Sequence, residues 1–434
     1  MRWKTDTYSG WGRALKAEGE LARPERISAL KALPLAPAMG ARRSYGDAAL
    51  NDSGRAVDMT RLDRIIGFDP ETGLLEAEAG LSIAEMVRIF VPRGFLPAVM
   101  PGTGFATLGG CIAMDVHGKN HHHDGSFGAH VEEIRLLRGG KDVVISREKQ
   151  KEVFRATLGG LGQTGVIMSA KIRLREIPGP SMQVQERRAE SLEEHLNMLD
   201  ASQARYTVGW LDATAKGAAM GRGIVEEAEH GHADAPAEEK AKSVPVDAPR
   251  FALSKPVVKA FNAQYYRRIP EGGQRRMRSI PDFFFPLDRI HDWNKLYGKR
   301  GFHQFQCVIP LSGRDALRGI VEAIASSGLA SPLAVLKRLG PEGEGMLSFP
   351  MEGYTLAVDF PARAKTPALI EKLIALTAEA GGRIYLAKDS LADGASVRAM
   401  YPGHAKWAAI AAKGDPAGAL QTDLTRRLGL RSAT

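Results

Sequence analysis

Gly159, Gly160, Gly162 and Gly165, with Thr164 among them, concentrate bare backbone at a spacing that resembles G-x-G-x-x-G, the mark of a nucleotide-phosphate loop. The residues after Gly165 limit the choice of fold. Val166 to Leu174 alternates apolar and polar residues, the period of a half-buried strand, where a Rossmann fingerprint would open an amphipathic helix. The glycines therefore read as a different dinucleotide cradle, and a nicotinamide Rossmann enzyme is disfavoured. A second bare stretch, Pro101, Gly102, Thr103, Gly104, Gly109 and Gly110, precedes the polar run Asp115 to Asn120 and suits a pyrophosphate held without a Cβ in the way.

The chain has 434 residues, 44% of them hydrophobic, which is enough apolar surface for two or three domains. Its apolar clusters are short, and none approaches the ~18 residues of a membrane span. Met1 to Arg13 lacks an apolar core or cleavage site, so the expected location is cytoplasmic. Cys111 and Cys307 stand far apart, which argues against a disulfide scaffold or zinc ribbon. A net charge of +9 favours anionic partners: nucleotides, phosphosugars or acidic lipid surfaces. Nucleic acid is not expected, because no recognised module or aromatic stacking array accompanies the basic residues.

Local signals then divide the chain. Strands are expected at Ala56–Met59, Ile65–Phe68 and Leu75–Ala79, then a helix capped by Ser82 with Glu85 three residues on and Gly94 at its exit. Ile134–Leu137 and Val143–Ile145 read as a hairpin through Gly139 and Gly140. Pro178, Gly179 and Pro180 break both periodicities and mark a domain boundary. Glu226 to Pro249, rich in Ala, Glu and Lys, reads as a mobile insertion, followed by a basic run from Arg267 to Arg278. Beyond it come a strand Phe302–Ile309, a helix capped by Ser312, strands Leu333–Leu336 and Tyr354–Phe360, a helix with Thr366 as N-cap and Gly381 past its end, and a strand Arg383–Leu386. This second part reads as an α+β domain, with helices on one face of a largely antiparallel sheet, followed by a mostly helical tail from Asp389.

Among polar residues, His121, His122 and His123 lack i, i+4 spacing and an acidic partner, so no metal site is expected. His117 and Lys119, two apart in an extended segment, would face one side; the plainer reading is a hydrogen-bonded structural histidine and a surface lysine. Lys388 follows a strand and could project into a cleft or simply pair with Asp389. Lys337 is either a pocket cation or a snorkelling surface residue.

Five stretches together carry a resemblance: Ala41–Asn51 (ARRSYGDAALN), Pro101–Thr103, Asp115–His122 (DVHGKNHH), Gly125–Gly128 (GSFG) and Thr157–Met168 (TLGGLGQTGVIM). They resemble the FAD-dependent vanillyl-alcohol-oxidase-type flavoproteins. Gln304–Pro310 (QFQCVIP), Val358–Pro361 (VDFP) and Tyr385–Ser390 (YLAKDS) are similar to members of that family that act on lipid-linked pentoses. The resemblance implies a two-domain fold with a PCMH-type FAD-binding part, 1–178 completed by 383–434, and an antiparallel-sheet substrate part, 179–382, with a mobile insertion near 226–278. It implies FAD contacts from Gly40, Ala41, Arg42, Arg43, Ser44, Tyr45, Gly46, Met59, Pro101, Gly102, Thr103, Thr107, Gly109, Gly110, Ala113, His117, Gly162, Ile167 and Tyr385. Where many relatives carry the histidine that binds FAD covalently, this chain has Arg43, so the flavin is expected to be dissociable.

Carried over in the same way, Lys388 would stabilise reduced flavin, with His117 and Lys119 forming a polar wall and His117 a candidate proton acceptor. Lys337, Gln304 and Gln306 would hold sugar or phosphate, Trp210 would wall the pocket, and Phe284 and Thr355 would stand where relatives have tyrosine and asparagine. Ala357 replaces a pocket cysteine and Leu161 an asparagine. The implied reaction is oxidation of the C2′ hydroxyl of a polyprenylphosphoryl-β-D-ribose to the 2-keto sugar, the first half of epimerisation to arabinose for cell-envelope glycans. An NAD(P)H-dependent short-chain reductase would be the partner, and contact with the membrane would be peripheral. The competing readings are a soluble sugar-alcohol or aldonolactone oxidase, and a flavin-binding protein without turnover.

Overall fold

The alternating run after Gly165 forms the strand Val166–Glu176, whose Val166, Met168, Ala170, Ile172 and Leu174 are buried. It pairs antiparallel with Leu74–Glu78 on one side and Val131–Arg138 on the other, and with the short strand Phe95–Pro97 at its end. Ile65–Asp69 and Lys141–Ser146 complete this six-stranded sheet. The computed structural model of the chain describes residues 2–237, 240–329 and 331–431. Against the six-stranded sheet lies the helix Ile83–Phe90, where Ser82 accepts a bond from the Glu85 amide and Ile83, Met86, Val87 and Phe90 are buried. A second sheet, of four strands, joins Lys4–Ser9, Lys16–Ala22, Arg55–Asp58 and Ala38–Met39.

The chain leaves the six-stranded sheet at Glu176 and enters another at Ser181, so it changes sheet across 177–180. This eight-stranded sheet is antiparallel throughout, in the order Gln274–Ser279, Ser181–Ala189, Gly223–Gly231, Tyr206–Leu211, Ala334–Leu339, Gly353–Pro361, Phe302–Pro310, Arg383–Ile384. The helices Leu192–Ala201, Arg314–Ser327 and Thr366–Glu379 bury their apolar stripes in one cluster with it. The α+β class read from the alternation of strand and helix signals is the class observed.

Carboxy-terminal helices Gly394–Met400, His404–Gly414 and Asp423–Arg427 add Val397, Met400, Trp407 and Leu424 to that same cluster. They also reach back to the amino-terminal part. Arg427 forms a fork on Asp47 at 2.8 and 2.9 Å, and the Asp423 amide donates to the Leu50 carbonyl. The tail therefore ties both halves of the chain together. Among the described residues no helix is long and apolar enough to cross a membrane.

Three local expectations are corrected. The stretch 226–278, read as a mobile insertion, holds regular structure: Gly223–Gly231 is paired along both edges, and Lys255–Arg267 is a helix. In that strand Glu226 and Glu227 stand between buried Val225 and Ala228, and cations neutralise both, Arg187 on Glu227 and Arg278 on Glu226. The helix expected from Ser312 begins at Arg314 with Gly313 as N-cap. Thr366 lies inside its helix, after Lys365, and its hydroxyl donates to the Pro361 carbonyl instead of capping.

Candidate active site

A cavity of about 390 Å³ runs between the amino-terminal sheets and the eight-stranded sheet. One wall is the segment that starts at Gly40. A Cβ on Gly40 would stand 2.2 Å from Thr107 Oγ1, and one on Gly46 1.9 Å from the Asp389 carbonyl oxygen, so only glycine lets these segments meet. The Tyr45 amide donates to the Ala387 carbonyl at 3.0 Å, which locks the first motif to the segment carrying Lys388. Asp288 holds the opposite loop, accepting from the Thr103 hydroxyl at 2.7 Å and the Gly104 amide at 2.6 Å. At Gly102 and Gly162 a Cβ would meet open space, so bare main chain borders the cavity there.

Among the described residues, two buried nitrogens on the cavity lining, Arg43 Nε and His117 Nδ1, have no hydrogen-bond partner. The Arg43 guanidinium lies between the rings of Trp11 and Phe105, 4.2 and 4.4 Å from their centroids, and burial pushes its pKa down. An elongated cradle of bare backbone with unpaired buried donors is what a flavin dinucleotide requires, so the residues fit FAD. Leu161, also on the lining, adopts φ +58°, a conformation that asparagine tolerates and leucine does not favour.

The far end of the cavity is built by the eight-stranded sheet. Gln306 Nε2 donates to His117 Nε2 at 2.9 Å and to Thr355 Oγ1 at 3.2 Å. With Nε2 accepting, the His117 proton resides on Nδ1, so the ring is a donor. Burial, with help from Lys337, His121 and Lys388, holds its pKa well below the usual range, so it stays neutral. His117 packs 5.2 Å from the rings of Phe349 and Tyr385, and the Tyr385 hydroxyl donates to the Met114 carbonyl at 3.0 Å.

Asp359 is fully buried, accepting from Gln304 Nε2 and, at 3.3 Å, from the Tyr297 hydroxyl. Burial raises its pKa and lowers that of Lys388, while each one's charge favours the ionised form of the other. The Lys388 ammonium lies 3.5 Å from the Tyr45 ring centroid. Lys337 is pushed down to about 8, by burial first and then by the charge of Lys119.

All but one of the residues named for FAD line this cavity, as do Lys388, His117, Lys337, Gln304, Gln306 and Thr355. The exception is Gly46, which lies behind the wall as the close-packing point with Asp389. Lys119, Trp210 and Phe284 are elsewhere. The Lys119 ammonium is tied to the Phe283 carbonyl over that ring, 3.9 Å from its centroid. Trp210 turns outward, its Nε1 donating to the Pro332 carbonyl at 2.8 Å and its ring lying 4.7 Å from Tyr265 of the helix Lys255–Arg267. Phe284 is packed in the core between Tyr206 and Phe283. The residues given no role from sequence are Asp359 and Asp288; Asp359 stands in the VDFP stretch, but the partners that define both come from strands and loops distant in sequence. The three histidines form one helical turn, His121–Asp124, in which Gly340 N donates to His121 Nδ1 and His122 Nε2 meets the Ala204 carbonyl. Among the described residues no group of three or more such side chains could hold a metal ion.

This fold, with a cradle of bare backbone leading to a buried ammonium and two glutamines, defines an FAD-dependent oxidoreductase. Residues 18–145 match the family model described as FAD binding domain. The chain is 33% identical to decaprenylphosphoryl-beta-D-ribose oxidase of Mycolicibacterium smegmatis over 98% of each chain, and belongs to its family. It is also 30% identical to an uncharacterised Streptomyces coelicolor protein over 81% of this chain and 100% of that one. A D-arabinono-1,4-lactone oxidase of Eremothecium gossypii is 30% identical over 27% of this chain and 23% of its own length.

Proposed function

We propose that the chain oxidises the C2′ hydroxyl of a polyprenylphosphoryl-β-D-ribose to the 2-keto sugar. The observation that carries this reading is the grouping, at one end of the cavity, of the cation Lys337 with hydrogen-bonding amides on Gln304 and Gln306 and the ammonium of Lys388. Similarity over nearly the full length to an oxidase whose name specifies that substrate supports it, whereas the lactone oxidase shares only about a quarter of the chain.

When bound, FAD supplies the two-electron acceptor for the hydride that leaves C2′. Lys337 and the amide of Gln304 orient the phosphate and sugar. Lys388 provides a fixed positive charge where negative charge accumulates. His117 is held neutral, with its proton on the unpartnered Nδ1 and its Nε2 already accepting from Gln306, so it is a poor receiver for the hydroxyl proton. Asp359 takes that role: burial keeps its carboxylate basic enough to accept a proton near neutral pH, and Lys388 keeps it ionised beforehand. The flavin is held without a covalent bond, because Arg43 stands between Trp11 and Phe105 where a histidine would be needed.

A 2-keto sugar needs hydride return to reach the arabinose form, so an NAD(P)H-dependent short-chain reductase is the expected partner. The lipid tail makes the enzyme a peripheral visitor to a membrane surface. The reading is tested by anaerobic bleaching of the bound flavin, with a short-chain prenylphosphoryl-β-D-ribose set against free alditols and aldonolactones.

A further inference from the structure

We propose that the surface formed by residues 242–261 and 290–300 docks on an anionic lipid bilayer and presents the cavity's rim to it. This rests on the lipid-linked reading of the substrate. The charge of the chain is localised: residues 240–300 hold fourteen Lys and Arg against five Asp and Glu, an excess of nine that equals the net charge of the whole protein. Three of these cations, Arg268, Arg276 and Arg278, turn inward to the buried Glu186. Arg250, Lys255, Lys259, Lys299 and Arg300 are exposed.

The same surface carries apolar side chains that a water-facing loop has no reason to hold. Phe251 is 71% and Val246 70% exposed, and Val257, Phe261, Ile290 and Leu296 are exposed as well. Their segments are fastened together. Lys242–Ser243 pairs with Ile290–His291, the Ala248 amide donates to the Lys295 carbonyl, and the Val244 amide donates to the His291 carbonyl. Leu253 anchors the turn from below by packing with Trp293 and Phe302. Val257 and Phe261, one turn apart on the helix Lys255–Arg267, share a face beside the buried Val258 and Asn262.

Position links the patch to the cavity. Ile290, His291 and Asp292 both line the cavity and lie at the surface, so they form its rim. Exposed apolar side chains interspersed with cations beside that rim match an acyl boundary beneath anionic headgroups, which attract such cations. A prenyl tail could then stay in the bilayer while its phosphosugar enters the cavity.

The test uses the full-length, FAD-loaded protein and vesicles of phosphatidylcholine, with or without an equal part of phosphatidylglycerol. Co-sedimentation is expected with the phosphatidylglycerol vesicles and not with phosphatidylcholine alone. Phe251→Ser with Phe261→Ser should lower partitioning about tenfold or more, and Lys255→Glu with Lys259→Glu should abolish the preference for phosphatidylglycerol. Both pairs should keep the flavin spectrum and bleach normally with a short-chain prenylphosphoryl-β-D-ribose in detergent. The lysine pair serves as the independent variant if the phenylalanine pair fails to fold. Wild type that ignores both vesicles, binding that neither pair alters, or recognition of the patch by a protein in place of lipid overturns the inference. Bleaching in detergent without vesicle binding overturns the docking surface and leaves the proposed reaction standing. Vesicle binding without bleaching by that substrate does the reverse.

Discussion

The ammonium of Lys388 lies 3.5 Å from the centroid of the Tyr45 ring, so a residue near the end of the chain is held by one near its beginning. The face of the ring attracts the cation and compensates part of its lost hydration. Lys388→Met should therefore keep FAD bound but slow flavin reduction about 10²–10³-fold. Rapid-mixing absorbance of the variant measures this directly. Reduction at the wild-type rate would remove Lys388 from the chemistry.

Asp359 and Lys388 titrate as a pair, and burial pushes the acid up and the base down, so both approach neutrality. Ionised Asp359 is the form that accepts a proton, so the rate of flavin reduction should rise with pH until Asp359 is deprotonated. It should then fall as Lys388 loses its charge; the two apparent values belong to the pair. Asp359→Asn should remove the acid limb and lower the maximum rate, read from a pH series of single-turnover traces.

Lys337 loses its proton at about 8. It is a cation below that pH and neutral above it, so the KM for a phosphorylated substrate should increase as pH rises through this value. Lys337→Gln should raise KM at neutral pH and flatten this dependence. A pH-independent KM in the wild type would mean that Lys337 does not meet the phosphate.

Gly46→Ala should be among the most damaging single-methyl changes in the chain. Its Cβ would fall 1.9 Å from a main-chain oxygen of Asp389, which cannot retreat as a side chain could. A cost of about 1–3 kcal/mol is expected, with loss of FAD because the two segments that meet there also wall the cavity. Thermal unfolding together with flavin content after gel filtration gives both readouts.

With arginine at position 43 in place of a histidine, acid precipitation of the yellow protein should leave all FAD in the supernatant. Colour in the washed pellet would show a covalent bond from some other side chain.

The parts legible in the sequence are those whose signals are local. Ser82, Glu85 and Gly94 delimit a helix within a dozen residues, and the glycines at 159–165 with the alternation beyond them argue against a Rossmann turn without knowledge of anything distant. The first-motif residues and Lys388 come through resemblance, since nothing in either segment says that the two meet. Asp359 is hidden because a carboxylate in a strand looks solvated until Tyr297 and Gln304 close on it. Trp210 looks free to wall the pocket only while the helix that covers it is read as part of an insertion. Strand Gly223–Gly231 escapes notice because its glutamates suggest solvent, whereas arginines on neighbouring strands neutralise them.

Everything proposed for the reaction requires that a lipid-linked ribose give up a hydride in the cavity that Lys388, Asp359 and Lys337 share. The decisive measurement is anaerobic addition of a short-chain prenylphosphoryl-β-D-ribose to the oxidised yellow protein, followed by absorbance. The predicted result is stoichiometric bleaching with release of the 2-keto sugar, and no bleaching by aldonolactones. Bleaching by a lactone or free alditol with none by the prenylphosphoryl ribose would contradict it.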